Sequence, residues 1–249
     1  MSEKMIITTP SPGVAVLKMN DVEGKNIFSE SFIHNFLAAM DKVENEIEPK
    51  VMILRGMEDV FCGGADKQTL IDLCDGRIVV KDLVISERLV NTEFPVIAAA
   101  EGHGMGGGLS MALCCDIVIF AKESRYGAVF MNMGFTPGMG TTTLLPELVG
   151  AYIANEMMFT GKRFKGSELA VKGTGINYIL LKNEVMKKAE DIALQIAEKN
   201  VKSVRILKYT LGAKKRDLLN RARMQEDLMH RISFGFPETK ETINDLYVE

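Results

Sequence analysis

The chain has 249 residues, of which 47% are hydrophobic, so it can bury a substantial core. Its net charge of −3 and pI of about 5.8 argue against nucleic-acid binding as a main activity. No apolar run reaches the ~20 residues that span a bilayer, and the start, Met1-Ser2-Glu3-Lys4, lacks an apolar signal region. We therefore expect a cytoplasmic protein without a membrane partner.

The cysteines predict neither a zinc site nor a disulfide framework. They show no CxxC spacing and lie in apolar or glycine-rich settings. We expect free, buried thiols in a reducing compartment. The set consists of Cys62, Cys74, Cys114 and Cys115.

In chain order, strands alternate with helices over the first two thirds of the sequence. Residues 14–20 alternate in a strand-like pattern, and apolar positions from Phe32 to Val43 then recur at helical spacing, with Ser29 or Ser31 as the N-cap. Short apolar runs predict buried strands at 51–55, 96–100 and 116–121. This order predicts an α/β fold with largely covered sheets.

From about Ala151 onward the pattern becomes helical. Residues 183–199, 203–211 and 214–234 each predict a helix. The sequence contains no internal repeat and no low-complexity linker. We therefore expect the helical third to pack directly on the α/β core.

Two glycine-rich segments stand out. Residues 101–110 read EGHGMGGGLS and turn from an apolar strand into a helix, while residues 61–66, upstream, read FCGGAD. Glycines let the backbone approach a ligand closely, and a helix start adds a positive end. The plainer interpretation is a pair of tight strand-to-helix turns, and a mononucleotide loop is disfavoured because no GKS or GKT follows.

Together these segments resemble the two oxyanion-hole segments of the crotonase (enoyl-CoA hydratase/isomerase) superfamily. Further matches are Asn26, the segment PVIA at 95–98, Cys115-Asp116 and the segment GFTPGMG at 134–140. The resemblance runs from about Val14 to the C-terminus. It implies a spiral of β-β-α units over residues 1–195 and a C-terminal helical trimerisation region over 196–249, assembled as a homotrimer or a dimer of trimers.

The same resemblance assigns the catalytic N–H groups. By position in the motifs they are those of Ala65 and Gly107, which would hold a thioester oxygen as it becomes an enolate. Losing one such donor can cost roughly 3–4 kcal/mol of barrier. Neither a metal nor a cofactor is implied.

Two catalytic glutamates of the hydratases have no counterpart in this chain, because Ser110 and Phe130 stand at their positions. Neither a hydroxyl nor a phenyl ring acts as a carboxylate base near neutral pH. We place Ser110 and Phe130 among the substrate-binding residues, with Phe130 making the pocket drier. Glu101 and Glu123 are close in sequence, but we interpret them as surface or turn residues.

Within the superfamily, EGHGMGGG and GFTPGMG without these glutamates resemble the decarboxylases of polyketide β-branching. The resemblance implies CO₂ loss from a 3-methylglutaconyl-type thioester on an acyl carrier protein, through a dienolate. One alternative is a CoA-dependent hydratase or isomerase. Another is a non-catalytic binding protein that kept the fold.

The chain has three histidines. We interpret His34 as a surface or helix-packing residue. His103, at the entry to the glycine loop, is interpreted as structural. His230 falls near Leu219 and Phe234 on the border of an apolar face, which alone indicates packing. The decarboxylating relatives place a histidine here, facing the substrate carboxylate, so we include His230 in the catalytic set.

The relatives also use a lysine after the first oxyanion residue. Lys67 and Lys81 are near that place without matching it, so we leave both out of the catalytic set, and the product double bond stays open between α,β and β,γ. A basic set on the predicted C-terminal helices is interpreted as a docking face for the acidic carrier protein or as a solvated surface. It consists of Lys202, Arg205, Lys208, Lys214, Lys215, Arg216, Arg221 and Arg223.

Overall fold

The computed structural model describes residues 3–79 and 84–247, and within them the predicted α/β fold is confirmed. The strands are β1 Met5–Ser11, β2 Val14–Met19, β3 Ile27–Phe28, β4 Val51–Arg55, β5 Val60–Cys62, β6 Gly64–Ala65, β7 Val96–Ala100, β8 His103–Met105, β9 Ile117–Ala121, β10 Arg125–Gly127, β11 Phe164–Lys165 and β12 Tyr178–Leu180. The helices are α1 Glu30–Lys42, α2 Lys67–Cys74, α3 Ile85–Val90, α4 Gly107–Cys114, α5 Thr141–Val149, α6 Ala151–Thr160, α7 Gly166–Val171, α8 Lys182–Ala197, α9 Val201–Ser233 and α10 Pro237–Leu246.

The largest sheet has the strand order β1-β2-β4-β7-β9-β12, and its strands are parallel except at the β1–β2 edge. Its four central strands are those expected from the alternating pattern at 14–20 and from the apolar runs at 51–55, 96–100 and 116–121. Both faces of these strands are buried, as is usual for parallel sheets. Helix α8 covers one face with small residues such as Ala189 and Ala193, and the larger core lies on the other.

Two smaller sheets bring the glycine-rich segments together. In one, the order β11-β10-β8-β5 sets β8, which lies within the second segment, beside β5, which leads into the first. In the other, β3 pairs with β6 in parallel, and β6 is part of the first segment. The turns that carry both segments therefore lie at neighbouring strand ends.

Helix α1 begins where its cap predicts. The Ser29 side chain accepts a hydrogen bond from the Phe32 N–H at 3.2 Å, which identifies Ser29 and not Ser31 as the N-cap. Phe32, Phe36 and Met40 then recur every four residues and are buried. One face of α1 thus covers the core, as the spacing indicates.

The prediction of two helices over 203–211 and 214–234 is wrong, because α9 is one continuous helix of 33 residues. Glycine in a helix costs about 1 kcal/mol relative to alanine, yet the helix passes through Gly212. Contacts on either side of Gly212 stabilise the continuous helix: the Lys208 ammonium binds Asp116, and Lys215 binds the Cys115 carbonyl. Tertiary packing outweighs the local preference. The predicted boundary at residue 196 falls within the last turn of α8, and the division there stays a prediction.

All four cysteines are free thiols, as predicted. Cys62, Cys114 and Cys115 are buried and Cys74 is half-buried. Across 3–79 and 84–247, no helix is long and apolar enough to cross a membrane.

A buried asparagine ties the end of β2 to β5. Asn26 has a φ of 53°, in the left-handed region that asparagine tolerates better than most residues. Its Nδ2 donates to the Met19 and Phe61 carbonyls, each at 3.1 Å, and its Oδ1 accepts from the Asp21 N–H at 2.9 Å. Because Phe61 opens the first glycine segment, Asn26 anchors that segment to the large sheet.

We predict that Asn26→Ala lowers the free energy of unfolding by about 3 kcal/mol, because it leaves several buried backbone groups without partners. Urea titration followed by circular dichroism measures it. Asn35→Ala is the matched control, since the Asn35 amide bonds the Ser31 carbonyl at an exposed site and its loss is worth about 0.5 kcal/mol or less. Equal effects of the two changes would contradict the anchoring role.

Candidate active site

The two glycine segments touch through their backbones. At Gly64, where φ is +90°, an added Cβ would lie 2.8 Å from the Met105 carbonyl oxygen and 3.4 Å from the Gly107 nitrogen. Any side chain there would push the segments apart and would also need a strained backbone. The closeness of Gly64 to the Gly107 nitrogen brings the two predicted donor segments to one place.

The second segment turns sharply into α4. Gly106 has φ 53° and ψ −121°, a combination that side chains disfavour. Its own N–H donates to the Gly127 carbonyl at 2.8 Å, so the turn is fixed from outside. Gly107 then begins α4, where the helix end adds partial positive charge.

The first segment presents Ala65 to the same cavity. The Ala65 carbonyl accepts a hydrogen bond from the Tyr247 hydroxyl at 3.1 Å, and both residues line the cavity. In an extended residue, the N–H and the C=O point to the same side of the strand. The N–H of Ala65, which lies in β6, therefore faces the cavity. Ala65 and Gly107 are thus brought together, and their donor roles stay predictions.

This cavity has a volume of about 100 Å³ and an apolar wall. Within the described chain, its only polar side chains are those of His230 and Tyr247. The bulky apolar members are Phe28, Leu70, Leu73, Val129, Phe130, Met133, Phe135, Met139 and Phe234. An acyl group bound here is surrounded by hydrocarbon except at the backbone donors and those two side chains.

Phe130 lies where the sequence places it, in the cavity wall. Its ring is 8% exposed and meets the ring of Phe135 edge-on, with 6.0 Å between the ring centres. Phe135 in turn stacks on Phe234 at 4.5 Å. These rings keep the wall dry at the position where hydratases carry a glutamate.

His230 is 6% exposed and is also part of the wall. Burial lowers the pKa of its imidazole below the usual 6.5, although the Thr136 carbonyl and Asp227 act in the opposite direction. Its Nε2 lies 2.9 Å from the Thr136 carbonyl oxygen, so in the neutral ring Nε2 carries the proton and Nδ1 is an acceptor. His230 also borders an adjoining cavity of about 200 Å³.

Ser110 does not reach the cavity. It is fully buried in α4, and its Oγ lies 2.5 Å from Oγ1 of Thr141, which donates to the Gly138 carbonyl at 2.6 Å. The hydroxyl therefore ties α4 to the start of α5. The predicted contact of Ser110 with substrate has no counterpart in the wall that the described residues form.

In the described chain, no carboxylate lines the cavity. Glu101 is 8% exposed, so of the two expected settings, surface or turn, it occupies the turn between β7 and β8. Its Oε2 binds the Arg55 guanidinium at 2.6 Å. Burial raises its pKa, and Arg55 opposes that shift. Glu123 is exposed, as expected, and accepts a hydrogen bond from the Lys182 N–H at the start of α8.

Glu226, which the sequence analysis did not single out, is a buried carboxylate outside the wall. It accepts hydrogen bonds from the Gly140 N–H at 2.8 Å and from the Thr142 N–H and hydroxyl at 2.9 and 2.7 Å. Burial raises its pKa, and these hydrogen bonds oppose the shift. Glu226 lies one helical turn before His230, on the same face of α9. That four-residue spacing was the sequence signal that could have identified it.

The other two histidines and Lys67 lie outside the wall. His34 is exposed, and the Nδ1 of His103 accepts the Arg125 N–H at 2.9 Å, which agrees with a structural role. The Lys67 ammonium binds the Asn244 carbonyl at 3.1 Å on the surface. Lys81 lies outside the described residues.

The basic set does not form one free face. Lys208 is buried in its ion pair with Asp116, and Lys215 is held by the Cys115 carbonyl. Lys214 pairs with Glu147 on the surface. A docking face on α9 therefore cannot include Lys208, because its buried ammonium is paired with the Asp116 carboxylate.

Comparison with known proteins agrees with this geometry. The family model described as enoyl-CoA hydratase/isomerase matches residues 9–249. The bacillaene synthase decarboxylase PksI of Bacillus subtilis (strain 168) is 36% identical over 231 residues, which cover 93% of this chain and 92% of that protein.

Two solved structures are similar over nearly the whole chain. One comes from a dehydratase/decarboxylase enzyme couple involved in polyketide β-branching, with a TM-score of 0.94, 34% identity and coverage of 98% of this chain and 96% of that one. The other is the ECH2 decarboxylase domain of CurF from Lyngbya majuscula, with a TM-score of 0.93, 32% identity and coverage of 99% and 100%. The chain belongs to the enoyl-CoA hydratase/isomerase family, within the crotonase superfamily.

Proposed function

We propose that this protein is a cytoplasmic decarboxylase of polyketide β-branching. Its substrate is a 3-methylglutaconyl-type thioester carried by an acyl carrier protein. One observation supports this above all: the cavity brings Ala65 and Gly107 together in an apolar wall that, in the described chain, contains no carboxylate. Two similar proteins, PksI and the ECH2 domain of CurF, are decarboxylases, which points the same way.

Carbon dioxide leaves when the bond between the γ-carbon and the carboxylate breaks. The bonding electrons move through the unsaturated chain to the thioester oxygen and form a dienolate. The N–H groups of Ala65 and Gly107 donate to that oxygen as its charge grows. Fixed donors of this kind need no reorganisation during the reaction, and each lowers the barrier by roughly 3–4 kcal/mol.

The rest of the wall acts on the carboxylate end of the substrate. Aromatic residues such as Phe130 and Phe135 exclude the water that would stabilise a carboxylate in the ground state, whereas the dienolate spreads its charge. His230 borders this end and, because burial lowers its pKa, adds no full positive charge that would hold the carboxylate back. The cavity thus favours the delocalised state.

A hydratase or isomerase needs a base beside the acyl chain. The buried carboxylates that the structure describes near the site are engaged elsewhere: Glu101 with Arg55, and Glu226 with Gly140 and Thr142. A purely binding protein has no need for donors aimed into a dry cavity. Both alternatives predict no release of CO₂.

The position of the product double bond depends on which group returns a proton to the dienolate. The cavity wall formed by the described residues contains no lysine, and the neutral His230 presents an acceptor nitrogen. Protonation at the α-carbon, which gives the β,γ isomer, therefore stays our expectation for part of the product.

We predict that the protein removes one CO₂ from 3-methylglutaconyl-carrier protein and adds no water. Mass spectrometry of the carrier-bound acyl group before and after incubation measures it. The same acyl group on CoA should react more slowly if the carrier protein is the true partner. Gain of the mass of water without loss of CO₂ would overturn the proposal in favour of a hydratase.

We predict that His230→Ala lowers turnover at least about tenfold, equivalent to about 1.4 kcal/mol of barrier. His34→Ala, a change at an exposed histidine, is the control and should leave turnover intact. Because the pKa of His230 is lowered, wild-type activity should persist below pH 6.5 and fall only when the pH reaches that lower value. A rate that falls as the pH rises through the pKa of His230 would instead mean that the protonated imidazole is the active form.

We also propose a homotrimer or a dimer of trimers, supported by exposed apolar residues on α9. Met224, Leu228 and Ile232 follow one another every four residues and are 75%, 62% and 55% exposed. Such a stripe favours burial against another chain. We expect a trimer or hexamer by light scattering, and Leu228→Glu should dissociate it whereas Lys202→Glu should not. A wild-type monomer at micromolar concentration would contradict the assembly.

A further inference from the structure

Tyr247 reaches the first oxyanion segment from the far end of the chain. It follows α10, and α10 is fastened to α2 by the bond from Lys67 to the Asn244 carbonyl and by the ion pair of Lys240 with Asp75. The Tyr247 hydroxyl donates to the Ala65 carbonyl at 3.1 Å, and the residue forms part of the cavity wall. A phenol group is thus held at the catalytic cavity.

The hydroxyl lies on the same side of β6 as the predicted oxyanion donor. Ala65 is extended, so its C=O and its N–H point the same way. A thioester oxygen bound to the Ala65 N–H would therefore be a neighbour of the Tyr247 hydroxyl. A small rotation of the phenol O–H redirects it from the carbonyl to that oxygen.

We infer that Tyr247 is a catalytic residue that supplies a third hydrogen-bond donor to the thioester oxygen, an inference that rests on the proposed function. In the resting cavity its acceptor is a neutral carbonyl. The oxygen of the dienolate carries negative charge and is a stronger acceptor. The hydrogen bond therefore shifts to the substrate as charge develops, and the proton stays on the phenol.

Such a donor acts on the transition state and little on substrate binding, so its loss appears in kcat. Tyr247→Phe keeps the ring in the wall and removes only the hydroxyl. We expect kcat to fall 10- to 100-fold while KM changes less than about twofold. Tyr178→Phe is the control, since Tyr178 lies on β12, away from the cavity wall, and its loss should leave both constants unchanged.

A second measurement separates a donor from a structural contact. Site-specific replacement of Tyr247 by 3-fluorotyrosine makes the phenol more acidic at nearly the same size, so a donor to developing charge should raise kcat relative to Tyr247→Phe and match or exceed the wild type. Thermal unfolding of each variant monitors the fold.

The outcomes are distinct. If the wild type releases no CO₂, the proposed function fails. If the wild type is active and Tyr247→Phe is equally active, the assignment of Tyr247 fails while the proposed function stands. A raised KM together with a lower unfolding temperature would also overturn the assignment, because it would make Tyr247 a packing residue.

Discussion

The backbone contact between Gly64 and the start of α4 is the constraint on which the site depends. An oxyanion hole needs two N–H groups from distant parts of the chain within reach of one oxygen. That closeness is possible only because Gly64 has no side chain between the segments and Gly106 adopts a turn that other residues disfavour. Around this contact, Asn26 fixes one segment and the bond of Gly106 to Gly127 fixes the other.

Once the two proposed donors, the N–H groups of Ala65 and Gly107, are fixed, the proposed chemistry follows from the wall that faces them. A buried carboxylate in that wall would hold water and accept protons, which is what hydration needs. This chain uses its buried glutamates for the fold instead: Glu226 caps α5, and Glu101 neutralises Arg55. Phe130 occupies the position in the wall at which hydratases carry a glutamate. Because the same donors stabilise any enolate, the choice between adding water and losing CO₂ lies with these few side chains.

Local patterns predicted most of the α/β core. The apolar runs predicted β4, β7 and β9, because a parallel strand buried on both faces is apolar throughout. The N-cap at Ser29 could be predicted from the sequence because its hydrogen bond joins residues only three positions apart. The family resemblance assigned Ala65, Gly107 and His230 to one site, and all three line the same cavity.

What the sequence did not reveal depends on contacts between distant residues. The helix break expected near Gly212 is absent because Asp116 and the Cys115 carbonyl hold α9 from outside. The Ser110 hydroxyl points away from the cavity because it hydrogen-bonds Thr141 on another helix. Tyr247 meets Ala65 across 182 residues of chain, and no pattern in either segment indicates the other.

The most direct test of the account is a crystal structure with a stable analogue of the carrier-bound thioester. We expect the thioester oxygen within about 3 Å of the Ala65 and Gly107 nitrogens, and the carboxylate end beside His230 and Phe130 without an ordered water. An oxygen bound elsewhere, or a water held over the acyl double bond at Phe130, would contradict an oxyanion hole set in a dry wall.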